Sequence, residues 1–163
     1  MKKLLVIFLT VVFSFGTALS ESEFSSYPLG SYTIVLPSDW STTYNSSISI
    51  LSNHPMSNGN YDHILTAVLM SLGDPIDDDA QFEALCDLIV DEYDISISVD
   101  DDLIIDEDRV YVWTGIFHLN EAAGAIYCHD DTALVVIHMT YGLSEDERFE
   151  FEKNIVSQIV VTE

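Results

Sequence analysis

The chain has 163 residues, 48% of them hydrophobic, and its 28 Asp and Glu against five Lys and Arg give a formal net charge of −23. Such a charge excludes nucleic acid and anionic membrane surfaces as partners. The apolar share, with eight Phe and eight Tyr, is too high for a disordered acidic chain and suits one folded domain with one core.

Met1-Lys2-Lys3, the apolar run Leu4 to Phe15 broken only by Thr10 and Ser14, and the small-residue site Ala18-Leu19-Ser20 make up the three parts of a secretory signal peptide. Cleavage after Ser20 is expected to release the protein into the periplasm or the medium, by the Sec route since no twin arginine is present. Cleavage also removes Lys2 and Lys3, which takes the charge from −23 to −25 over the 143 residues left. No later segment has the roughly 20 apolar residues that span a bilayer, so no stable membrane insertion is expected after cleavage. No cysteine follows the signal directly to carry a lipid.

Residues 21–30 read as an N-terminal tail, loosest over Glu21 to Ser26, and 31–163 as a single domain. Ser31 to Leu36 is a β-rich run stopped by Pro37-Ser38-Asp39, with Trp40 just beyond. Ser46 to Leu51 predicts a second short strand, Asn53 to Asn60 an exposed loop, and Ile64 to Leu72 a third strand closed by Gly73-Asp74-Pro75. The period then changes. Phe82, Leu85, Cys86, Ile89 and Tyr93 fall at helical spacing, and Asp77 to Asp79 stand where a helix N-terminus favours negative charge. Ile95 to Val99, Leu103 to Ile105, Arg109 to Leu119, Ala125 to His129 and Ala133 to Tyr141 predict an antiparallel meander. Its longest members are apolar on both alternating faces, so both sides of the sheet need cover, for which helices are the natural source. The last segment supplies one: Ser144 caps, Glu147 completes a capping box, and Phe151, Ile155 and Ile159 form a stripe with Val156 beside it.

The order of these elements, with the motif Tyr32-Thr-Ile-Val-Leu-Pro37-Ser-Asp-Trp40, then Val110-Tyr-Val-Trp113 and the closing helix over Ser144 to Val160, resembles the Mog1/PsbP-like fold. That resemblance implies an α+β domain, an antiparallel β-sheet flanked by α-helices in an α/β/α sandwich. It also implies a non-catalytic role, since members of the fold are mostly adaptors, photosystem assembly subunits or secreted accessory proteins. It carries over no functional residues.

The acids form two patterns that bear on function. Asp79, Glu83, Asp87 and Asp91 recur every fourth residue, one column on a helix, where each neighbouring like-charged pair costs roughly 0.2–0.5 kcal/mol. The functional reading is a surface for a basic partner or for cations; a solvated face selected for solubility or a saline habitat is the default for such a charge run. The second pattern is the set of runs Asp77-Asp78-Asp79, Asp100-Asp101-Asp102 and Asp106-Glu107-Asp108, whose oxygens suit calcium, which takes six to eight. No EF-hand loop is present, and turn acids that keep sheet edges from pairing are the preferred explanation of the runs.

Five histidines (His54, His63, His118, His129 and His138) show no metal-ligand spacing. His118 and His138 fall on strands that a meander places close, and Cys128 and His129, adjacent on a strand, point to opposite faces. Half-buried, hydrogen-bonded histidines are the expectation. Cys86 and Cys128 either close a disulfide, contributing about 4 kcal/mol on the chain-entropy model, or remain two buried thiols. No nucleophile elbow, phosphate loop or dinucleotide fingerprint occurs. The expected function is a secreted, non-catalytic binding or accessory module with an acidic surface and no cofactor. A calcium-dependent module is the alternative, and a hydrolase using unrecognised carboxylates the third reading.

Overall fold

In the computed structural model, which describes residues 24–105 and 108–161, strand β2 (Tyr32–Pro37) buries Tyr32, Ile34 and Leu36 and half-buries the residues between them. The signal peptide expected over 1–20, and Asp106 with Glu107, lie outside those residues. Before β2 runs β1 (Phe24–Leu29), paired antiparallel with it through a turn in which Gly30 adopts φ 63°. From Phe24 onward the expected tail is therefore an edge strand. Composition concealed it, because Phe24, Ser26 and Pro28 face solvent and a proline is tolerated only at a sheet edge.

Seven further strands form a second antiparallel sheet. In chain order they are β3 (Ser41–Ser46), β4 (Ser49–Pro55), β5 (Tyr61–Ser71), β6 (Ile95–Ile105), β7 (Asp108–Phe117), β8 (Asn120–His129) and β9 (Thr132–Thr140), and in space they run β3-β4-β5-β9-β8-β7-β6. Strand β4 reaches further than expected, to Pro55, so the exposed loop shrinks to the turn between β4 and β5. β3, polar throughout, carried no apolar pattern to betray it.

The two short strands expected at 95–99 and 103–105 are one strand, β6, and Asp100 to Asp102 lie inside it rather than in a turn. Its register on β7 shifts between Ile97 and Val99, and such a bulge reverses the alternation of faces. Ile97 therefore joins the core on one side of the sheet while Leu103 and Ile105 join the core on the other. A period-2 reading cannot cross that inserted residue.

Helix α1 (Asp79–Glu92) covers one face, placing Phe82, Cys86 and Ile89 on Trp113, Ile126, Val135 and Ile137. Helix α2 (Glu145–Val156) covers the other face together with β1, β2 and the short β10 (Val160–Val161), which pairs with the free side of β2. The expected α2 ends early: past Val156 the chain turns and buries Ile159 on its way into β10. The fold is thus α+β, with antiparallel sheets and two helices.

Close approach fixes Gly124 in the middle of the sheet. A Cβ on Gly124 of β8 would collide with the Trp113 ring and with the Val136 carbonyl oxygen, one of them backbone that cannot rotate away. Gly124→Ala is expected to destabilise by about 1–3 kcal/mol, the range for overpacking a filled core. Urea unfolding should show the lowered midpoint.

Candidate functional site

The acids at the start of α1 are tied into the helix and the neighbouring strand. The Asp78 side chain caps α1 by accepting from the Gln81 backbone N–H at 2.8 Å, and the Asp77 N–H donates to Gln81 Oε1 at 2.9 Å. Asp79 pairs with Arg109, whose guanidinium also lies over the Phe82 ring at 6.0 Å. On β6 the three aspartates separate by face. Asp100 accepts from the Tyr111 hydroxyl at 3.0 Å, whereas Asp101 accepts from Lys153 of α2 at 2.7 Å. Asp102 stands with Asp79, Glu83, Phe82, Ile104 and Arg109 around a cleft of about 320 Å³ between α1 and β6. Partial burial, then the neighbouring Asp100, Asp101 and Asp79 carboxylates, push the Asp102 carboxyl above its usual range, with Arg109 opposing.

Asp108 faces His129 Nδ1 at 2.8 Å, and Asp106 lies outside the described residues. Among the described residues no group of three or more His, Cys, Asp or Glu side chains converges as a metal site. Asp79, Glu83, Asp87 and Asp91 all lie exposed along α1, the column that their spacing predicts. Cys86 and Cys128 are buried free thiols on the α1 side; burial pushes Cys128 up to about 12 and Cys86 further.

A second constellation was not visible in the sequence. Antiparallel pairing sets His54 of β4 opposite His63 of β5, and β5 pairs in turn with β9, which carries His138. The three imidazoles form a row on the α2 side of the sheet. His54 Nδ1 meets Asp62 at 2.6 Å and its Nε2 lies 3.5 Å from Asp39. His63 Nδ1 meets His138 Nε2 at 3.1 Å, and His138 Nδ1 meets Glu152 of α2 at 3.2 Å, both of the last pair fully buried. The Leu-Pro-x-x-Trp turn, closed by the Trp40 N–H donating to the Pro37 carbonyl at 3.1 Å, stacks Trp40 on His63 with ring centres 5.2 Å apart; Phe151 stacks on the same imidazole at 5.1 Å. His118, expected near His138, instead occupies the β7–β8 turn at φ 47°. Only strand register assembles this row, and no spacing along the chain encodes it.

An N···N contact between two imidazoles holds one proton, since one ring must donate and the other accept. Burial, then the charge a protonated His138 would place beside it, hold the His63 imidazole down at about 4, while Asp62 and Asp39 pull the other way and His54 adds to the lowering. Glu152 binds His138 through one oxygen; its other oxygen and the Thr140 hydroxyl lack hydrogen-bond partners among the described residues. His63, His138 and Glu152 form a continuous hydrogen-bonded run that can hold a proton beneath α2 and ties α2 to the sheet, while His54 is bonded separately to Asp62 at the rim.

No protein-family model and no curated protein matches the chain. Among solved structures, cyanobacterial PsbP (CyanoP) from Synechocystis superposes over 90% of this chain and 98% of its own, with a TM-score of 0.61 at 9% identity. A Bacteroides thetaiotaomicron protein matches 88% of this chain and 50% of its own, with a TM-score of 0.46 at 10% identity.

Unfolded imidazole protonates near 6.5 and folded His63 near 4, so between these values the unfolded chain binds more protons. The stability involved is complete above pH 6.5 and is lost as pH falls to 4, on the order of 3 kcal/mol. Urea unfolding at pH 7 and pH 4.5 should show a smaller loss in His63→Gln than in the parent, because the carboxylate titrations common to both cancel. Glu152→Ala, which strands His138 Nδ1 in the core, is expected to cost about 3 kcal/mol or more, and Glu152→Gln, which keeps an acceptor, less. Their denaturation midpoints compare directly.

Proposed function

We propose that this chain, a PsbP/Mog1-like α+β domain, is a secreted, non-catalytic accessory module that recognises a basic protein surface through the acidic side formed by α1 and β6. The observation that carries the reading is the state of the cations. Arg109 is paired with Asp79, Arg148 with Glu121 and the Leu143 carbonyl, and Lys153 with Asp101. These are the only Lys and Arg among the described residues, so the rest of the acidic column faces solvent without a basic side chain of its own. A surface of one sign steers and holds a partner of the other sign. The fold supports the same reading by its likeness to the PsbP structure, and among the described residues no helix is long and apolar enough to cross a membrane.

The test uses a deca-lysine peptide and calorimetric titration. Binding at 20 mM sodium chloride should weaken at least tenfold at 200 mM. The triple variant Glu83→Gln, Asp87→Asn, Asp91→Asn, which leaves the Asp79–Arg109 pair intact, should bind at least fivefold more weakly at low salt. An unchanged affinity in that variant would remove α1 from the surface, and binding indifferent to salt would end the electrostatic reading.

A further inference from the structure

We infer that the outer edge of β6 is a docking edge that takes up a basic extended segment of a partner protein by strand addition; this rests on the accessory-module reading and specifies its site. β6 ends the seven-stranded order, and at eleven residues it equals the longest strands of the sheet. A strand at a sheet edge offers a row of backbone donors and acceptors to another chain. The opposite edge, β3, has six residues and no charged side chain.

Residues opposite one another in an antiparallel pair share a face. The register of β6 on β7 sets Asp100 against Trp113, Asp102 against Tyr111 and Ile104 against Arg109, on the α1 side. Asp101, Leu103 and Ile105 take the α2 side, where Leu103 and Ile105 join the core and Asp101 meets Lys153. The α1 side of the edge therefore reads acid, acid, apolar, with Ile104 70% exposed. It opens on the 320 Å³ cleft lined by Asp79, Glu83 and Asp102.

Charge selects the occupant. A second copy adding antiparallel about Asp101 would set Asp100 against Asp102 twice over and Asp101 against itself, a like-charge pairing that opposes association. A strand carrying apolar–x–basic–x–basic on that face places its basic groups opposite Asp102 and Asp100 and its apolar group opposite Ile104. Backbone bonds supply attachment and the alternate side chains supply selection, as in other strand-addition complexes.

The probes are a synthetic Val-Thr-Lys-Thr-Lys-Thr peptide and the same peptide methylated on alternate backbone nitrogens, which keeps the charge and blocks one hydrogen-bonding edge. The unmethylated peptide should bind the mature protein at least fivefold more tightly than the methylated one and slow hydrogen exchange along β6. Asp102→Lys with Ile104→Lys, both exposed positions, should abolish that preference without lowering the urea midpoint. Equal affinities would overturn strand addition while leaving the acidic-surface reading in place. Salt-insensitive or absent binding of both peptides and of deca-lysine would overturn both. A dimer in sedimentation that is lost in the Lys variant would make a second copy the occupant and overturn the charge argument.

Discussion

Strands β7, β8 and β9 carry apolar side chains on both faces, and the rest of the architecture answers to that constraint. Such strands need two covers, and the chain reaches them by different routes. Four successive antiparallel pairings separate β5 from β6, so these two strands run parallel, and a parallel partner is reached only through a crossover. Helix α1 is that crossover, and its path from β5 to the far edge lays Phe82, Cys86 and Ile89 across one face. The other face is closed piecewise, by a helix at one side and a three-stranded sheet made from the two ends of the described chain.

What was legible in the sequence follows the same division. The long two-faced strands and both helices were readable because burial on a regular period leaves a regular pattern. Ser144 and Glu147 form the expected capping box, and Trp40 lies in the core directly after its turn. The misses share a cause: their side chains follow no apolar period. β1 and β3 are edge strands with little to bury, and β6 is broken by a bulge. On α2 the buried stripe begins with Arg148 and Glu152, polar residues that satisfy the helical period but not its expected chemistry. The acidic column was legible because α1 alone determines it, whereas the histidine row depends on pairing between β4, β5 and β9 and had no local signature.

The two polar systems of this protein obey opposite physics. On the α1–β6 side the acids stay in water, where each is cheap to keep charged and their sum makes a long-range field. Beneath α2 the histidine row is stacked under Trp40 and Phe151, where an added charge has little solvent to stabilise it. Glu152 gives the helix a specific seat: its carboxylate finds its partner only when α2 lies with the right rotation over β9. A buried polar contact of this kind selects one arrangement from several that apolar packing alone would tolerate.

The pairing of β5 with β9 bears on how the chain comes to fold. Met70 and Ala133 face each other across the middle of the sheet, and everything between them must be synthesised before they meet. Contacts so distant in sequence are slow to form, because the loop must close before any pairing rewards it. Until β9 has emerged, the β4–β5 hairpin lacks its neighbour and the histidine row lacks His138. A chain with this topology stays open until nearly all of it has been made.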